Sequence, residues 1–210
     1  MFVVLGGASA AMTDDSSLDD ARAAELRHRT ANTFQLMSAL ARMRSQRAGD
    51  PEARRQLVWM ADAIGSLGAL ERHRHDGAVD FCAYLEEMTP VWRRRAGEGR
   101  AQISLEVAPV MAPDQAASTL ALIVQELVAN ALAHGYDESR GGLVRICLSR
   151  GEAGRYELSV IDDGRGFDPG SPAARERFGL WFVRSLAAQV RGEFKLDTQP
   201  GVTARLIFSL

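Results

Sequence analysis

Cysteine is scarce. Cys82 and Cys147 are the only two among 210 residues, far apart and each in an apolar setting. That excludes a disulfide framework and a thiolate metal site, and it makes both of them small core residues. Surplus charge is missing too: a net charge of -2 at pH 7 argues against a nucleic-acid binder, whose affinity comes from many phosphate contacts. No apolar run reads as a transmembrane helix, so no membrane span is expected. Proline and glycine are absent from Leu18 to Arg47, which leaves room for one long helix. What remains is ordinary for a globular chain of one or two domains, 46% hydrophobic and 25% charged.

The first residues, Met1 to Met12, are apolar, and Ala8-Ser9-Ala10 resembles a signal-peptidase site. No basic residue precedes it, and the apolar core is only Phe2 to Leu5. Residues 1–17 are therefore expected to be a disordered tail, with Met12 a candidate initiator. Asp14 to Asp20 then offer Asp and Ser side chains that suit a helix start. Leu26, Thr33 and Leu40 recur by sevens, as do Thr30, Met37 and Arg44, which is a bundle seam with polar members. Ala48-Gly49-Asp50-Pro51 ends this helix and opens a second, Glu52 to about Arg74. A lone two-helix hairpin buries too little to stand by itself, so residues 18–76 predict a homodimer in which two hairpins form a four-helix bundle. His73 and His75 read as cations at the end of the second helix, with Gly77 as its stop.

Residues 77–210 read as a second domain. Helical patterns cover Val79 to Arg95, broken or kinked at Pro90, then Pro113 to His134 and Pro172 to Arg191. Strand patterns cover Gln102 to Val107, Leu143 to Leu148, Tyr156 to Ile161, Glu193 to Asp197 and Val202 to Ser209. The fold class is α+β, a mostly antiparallel sheet with helices on one face.

The stretch that organises the chain is IVQELVANALAHGY, Ile123 to Tyr136. Ile123, Leu127, Val128 and Leu132 make an apolar stripe, while Glu126, Asn130 and His134 stack in a row beside it. Spacing alone fits a polar solvent edge. What tips the balance is IDDGRGF at Ile161 to Phe167, followed by FGLWFV at Phe178 to Val183. Together these resemble the N, G1 and G2 boxes of the GHKL (Bergerat) ATP-binding fold. Upstream, ELRHRTANTFQLMSAL at Glu25 to Leu40 resembles the phosphoacceptor helix of the HisKA_2 group of histidine kinases, with His28, Arg29 and Asn32 in its His-Arg-x-x-Asn core. The resemblance runs from about Leu18 to the C-terminus.

The resemblance implies a cytoplasmic, homodimeric histidine autokinase that uses ATP and Mg²⁺. His28 lies off the heptad seam, in a row with Gln35 and Arg42, and is expected to face solvent. Glu25 is the candidate that takes the proton of one ring nitrogen, freeing the other to attack the γ-phosphate. Arg29 would steady the phosphoryl group, and Asn32 would hold water or phosphoryl oxygens. Asp162 would accept the adenine amino group, Gly164 and Gly166 would let the backbone approach and turn, and Asn130 would ligate Mg²⁺. Glu126 would act as a base or hold a metal-bound water. His134 would touch phosphate or cap its helix. Gly179 and Leu180 would open a helix that receives phosphates, with Arg175 and Arg177 adding charge. Asp163, where relatives often carry Asn, could reach base or metal through water. Trp181 and Phe182 read as core.

The lid segment between Gly166 and Gly179 is short, no F box is evident, and the G2 stretch has one glycine. The implied partner is an aspartate on a response-regulator receiver domain, with either input from a separate sensor protein or constitutive activity. The alternatives are a histidine phosphotransferase with a degenerate ATP-binding domain, and a GHKL ATPase with no phosphohistidine.

Overall fold

The computed structural model describes residues 10–97, 101–134, 136, 141–168 and 178–210, and their side chains from Ala21 onward except those of His134 and Ala153. Helix α1 spans Ala10–Arg47 and α2 spans Pro51–Glu71. The first helix begins inside the stretch expected to be a tail and runs through Asp14 to Asp20, so those residues extend the helix instead of capping it. The second starts where the sequence says. Asp50 is its N-cap, accepting from Ala53 N at 2.8 Å, and Pro51 fills the first turn, where a missing N–H costs nothing.

The two helices pack through small residues. Ala31 and Ser38 of α1 are buried and lie against Ala61, Gly65 and Gly68 of α2. The Ser38 hydroxyl donates to Ala61 O at 2.8 Å, and a Cβ on Gly68 would stand 3.0 Å from Phe34 Cβ. This is not the seam read from the large side chains. Leu26, Met37 and Leu40 are 64%, 49% and 52% exposed, so the expected seam is an outward face of this chain. Across the hairpin's inner side, the buried Asp62 accepts from Arg42 of α1 at 2.6 Å and from Arg95, beyond the hairpin.

Beyond Glu71 the chain turns into strand β1 (Arg74–His75), paired with β2 (Ala78–Asp80), which pairs in turn with β4 (Met111–Pro113). The expectation that His73 and His75 finish α2 is thus corrected. His75 is in β1, and His73 Nε2 meets Glu87 at 2.7 Å, alongside Arg72. The Gly77 turn, at φ +78°, belongs to the β1–β2 hairpin. Helix α3 (Phe81–Ala96) passes through Pro90 without ending there. Phe81, Leu85, Met88 and Trp92 are buried on both sides of the proline, and Trp92 Nε1 donates to Gln125 at 2.8 Å. That anchoring outweighs the roughly 3 kcal/mol an interior proline costs.

The main sheet contains β3 (Ala101–Val107), β5 (Gly142–Arg150), β6 (Tyr156–Asp162), β7 (Glu193–Asp197) and β8 (Val202–Phe208), in the order β3-β5-β6-β8-β7. Every pairing is antiparallel except β3 with β5. Helices α3, α4 (Asp114–His134) and α5 (Phe178–Gln189) cover one face, burying Phe81, Leu120, Ile123 and Val124 against Ile146, Leu158 and Leu206. The hairpin docks on the far side of α4, so the molecule has three layers: sheet, helices, hairpin. Contrary to the reading of the sequence, Asp114–Ala133 is long and apolar enough by length and composition to cross a membrane. Here it is the central helix, apolar on most sides because it is covered on most sides.

Candidate functional site

The fourth turn of α4 onward, the end of β6 and the start of α5 converge on a cavity of about 230 Å³. Its walls are Leu127, Ala131, Val160, Leu196 and Ala204, with Leu180 above and the Asp162, Asn130, Arg165 and Gly166 side of the site supplying polarity. Such a mix suits a flat ring enclosed between aliphatic side chains. The volume lies below the roughly 300–1,000 Å³ of pockets that enclose a whole drug-sized ligand, so the tail of a longer ligand would leave it.

Asp162 is the last residue of β6 and is buried. Its Oδ1 accepts from Gly164 N at 3.0 Å and from Val202 N at 3.3 Å. Burial pushes its carboxyl above the usual range, against the pull of those two N–H groups. Gly164 therefore serves through its N–H. The left-handed turn is at Gly166, φ +64°, where a Cβ would collide with Thr198 O. Asp163 is exposed and structural: its Oδ1 accepts from Leu143 N at 2.8 Å, tying β5 to the end of β6.

Glu126 and Asn130 sit one turn apart on α4, and Asn130 Nδ2 donates to Glu126 Oε1 at 2.8 Å. Among the described residues no group of three His, Cys, Asp or Glu could hold a metal. Gly179 packs so close to Glu126 that a Cβ there would land on Oε1. The His134 side chain and residues 169–177, which include Arg175, Arg177 and most of the lid segment, lie outside the described residues.

Several site residues carried no sequence signal. The Trp59 indole of α2 donates to Glu126 Oε2 at 2.5 Å and meets Phe178 and Phe182 edge-on at 5.3 and 5.2 Å. Tyr136 donates to Leu143 O at 2.8 Å, and its ring occupies the space above Gly142. Its hydroxyl is pushed up by burial and by the nearby Asp162 and Asp163. Trp181 is 62% exposed, not core.

The second cluster is on α1. His28 is exposed, as its row demands. Glu25 does not touch it: Glu25 Oε1 accepts from Arg29 at 2.6 Å, and the side chain that meets the ring is Asn32, with Nδ2 3.2 Å from His28 Nδ1. An i,i+4 pair was available to Arg29, and the guanidinium fork holds a carboxylate better than an imidazole does. The two clusters are apart. Ala31 O lies against Gly68, so His28, one turn back, is level with about Glu71. Trp59, which marks the level of Glu126, is 12 residues earlier, about 18 Å along the axis.

The histidine kinase-like ATPase domain family matches residues 95–208, and the HisKA_2 histidine kinase family matches residues 25–94. A blue-light-activated histidine kinase 2 of Erythrobacter litoralis is 27% identical over 90% of this chain and 56% of its own length. The sensor histidine kinase PdtaS of Mycolicibacterium smegmatis is 29% identical over 86% of this chain and 38% of its own. The chain thus spans about half or less of the curated relatives it matches. The histidine kinase domain of the Erythrobacter litoralis EL346 blue-light-activated histidine kinase superposes with a TM-score of 0.68 at 20% identity, over 85% of this chain and 96% of that one, which is a likeness of fold.

Proposed function

The chain belongs to the histidine kinase family, and from that premise we propose that it is an ATP-dependent autokinase that phosphorylates its own His28 and hands the phosphoryl group to an aspartate of a response-regulator receiver domain. The observation that carries this reading is one cavity lined by both Asp162 and Asn130 between aliphatic walls. Asp162 is a carboxylate acceptor for an adenine amino group, and the walls hold the ring. Asn130 would hold Mg²⁺, whose charge offsets that of the phosphates, and the first N–H groups of α5 at Gly179 and Leu180 would face them.

His28 is the acceptor. Its Nε2 lone pair bonds to the γ-phosphorus as the bond to the β–γ bridging oxygen breaks and ADP leaves. This needs the proton on Nδ1. Asn32 supports that tautomer when its amide presents Oδ1 to the ring, an exchange of O and N positions that leaves the heavy-atom contact unchanged. Arg29, held by Glu25, would offer a cation to the phosphoryl oxygens. Exposure of His28 on the helix leaves it open to a docked receiver domain. The outward stripe of Leu26, Leu36, Met37, Leu40 and Met43 is the face on which a second hairpin would complete a four-helix bundle.

The test is incubation of the pure protein with γ-labelled ATP and Mg²⁺. Acid-labile label that disappears in His28→Ala is the expected result. No label, with transfer from a phosphorylated receiver intact, would make the protein a phosphorelay carrier. ATP turnover surviving His28→Ala would make it an ATPase.

A further inference from the structure

The helical hairpin reaches into the nucleotide site through Trp59. Its N–H takes one oxygen of Glu126 at 2.5 Å while Asn130 takes the other at 2.8 Å. The carboxylate is 6% exposed, and Gly179 closes over it. The indole ring is wedged edge-on against Phe178 and Phe182, in the first turns of α5. Arg95, which binds Asp62 of the same hairpin helix, lies close enough for the charge of Glu126 to act on it. In this docked arrangement two requirements for transfer are unmet together: both oxygens of Glu126 are engaged, and His28 stands about 18 Å along the hairpin from the level of Glu126. A single shift of α2 along α4 would relieve both.

We propose that Trp59 is a positioning residue of the phosphoryl-transfer site, supplied by the hairpin, that keeps Glu126 and the first turn of α5 in a docked, idle arrangement until Mg²⁺ and nucleotide compete for that carboxylate. This rests on the autokinase reading for what Glu126 does, but not for the contact itself. A released Trp59 loses a hydrogen bond to a charged group and keeps its aromatic neighbours only if the hairpin stays. Nucleotide loading and hairpin freedom are therefore coupled through one indole.

Trp59→Phe retains the ring packing and removes the donor. With γ-labelled ATP and Mg²⁺, its initial labelling of His28 is expected to rise about tenfold, the scale of one hydrogen bond to a charged group. Mg·ATP affinity is expected to rise as well, because a nucleotide that has to displace the indole binds more tightly once its donor is gone; faster labelling with unchanged affinity would overturn the coupling. Against Glu126→Gln alone, the double variant Trp59→Phe/Glu126→Gln should show no gain; a gain of about tenfold in that background would show that Trp59 acts elsewhere and overturn the proposal. Labelling at or below the unsubstituted rate would overturn it too. A second readout does not depend on the kinase reading. The protein has three indole N–H signals in a ¹⁵N correlation spectrum, and Trp59→Phe deletes one. Saturating Mg·ATP should move that signal toward the position of a free indole. If it stays put while the Gly166 amide shifts, the coupling is refuted. If it moves and no protein ever labels, the coupling stands and the autokinase reading falls.

Discussion

Asp162 is held in a way that sets stability against binding. Its raised carboxyl means that the folded state binds the proton more tightly than the unfolded chain does. Its contribution to stability is therefore present below the ordinary carboxylate value of about 3.9 and is lost as pH rises through its raised one. Asp162→Asn keeps the oxygen that accepts from Gly164 and Val202 while removing the buried charge, so the ligand-free protein should melt higher at pH 7. Adenine-nucleotide affinity, read by calorimetry, should fall. It should also lose the acid limb expected of the native carboxylate, whose affinity drops as protonation removes an acceptor. An unchanged melting temperature with unchanged affinity would contradict both roles. At this scale the meeting of Asp162 and Asn130 at one cavity and the exposure of His28 are legible in the sequence, because they follow from short motifs and helix rows. Asp163, Tyr136 and Trp59 were not, because each acts on a residue seven or more positions away: Asp163 on Leu143, Tyr136 on Leu143, Trp59 on Glu126.

Among the elements, the hairpin teaches a different lesson. Heptads of large side chains identify a face, but not which partner covers it. The face used within the chain is the quiet one, Ala31 and Ser38, where the close approach of α2 depends on Gly68. Gly68→Val should force α1 and α2 apart and cost roughly 1–3 kcal/mol in urea denaturation; a neutral result would mean that the helices separate freely. The joint after α2 was misread as a helix end because the short strands β1, β2 and β4 are made by pairing with one another, and two or three residues carry no period. Glu87 closes this joint. Burial works against its charge, but Arg72 and His73 outweigh that and hold its carboxyl below the usual range. The clamp is thus complete above the ordinary value of about 4.3 and is lost as pH falls through the lowered one. Glu87→Gln should be the less stable protein at pH 7, and its difference from the native protein should close as the solution is acidified past that window; a constant difference would rule the clamp out.

For the whole molecule, the order of layers was readable in part. Interleaved helix and strand patterns gave the sheet and its helical cover. The parallel β3–β5 pairing and the docking of the hairpin over α4 depend on contacts between segments far apart in sequence. The outward stripe on α1 predicts a dimer. Leu40→Glu, at an exposed position of that stripe, should give a monomer in sedimentation velocity with its helix content intact. A native protein that already sediments as a monomer would remove the bundle from the account.

Helix α4 would be the casualty of any parting of the layers. It has the oiliness of a bilayer segment, and Leu122, toward the hairpin side, is one of the side chains that the layer above shelters. Each excursion of the hairpin thus wets a greasy strip in the middle of the protein. The open form is one that water penalises. It should be brief, should stain with a hydrophobic dye, and should close again unless another surface takes the vacated place.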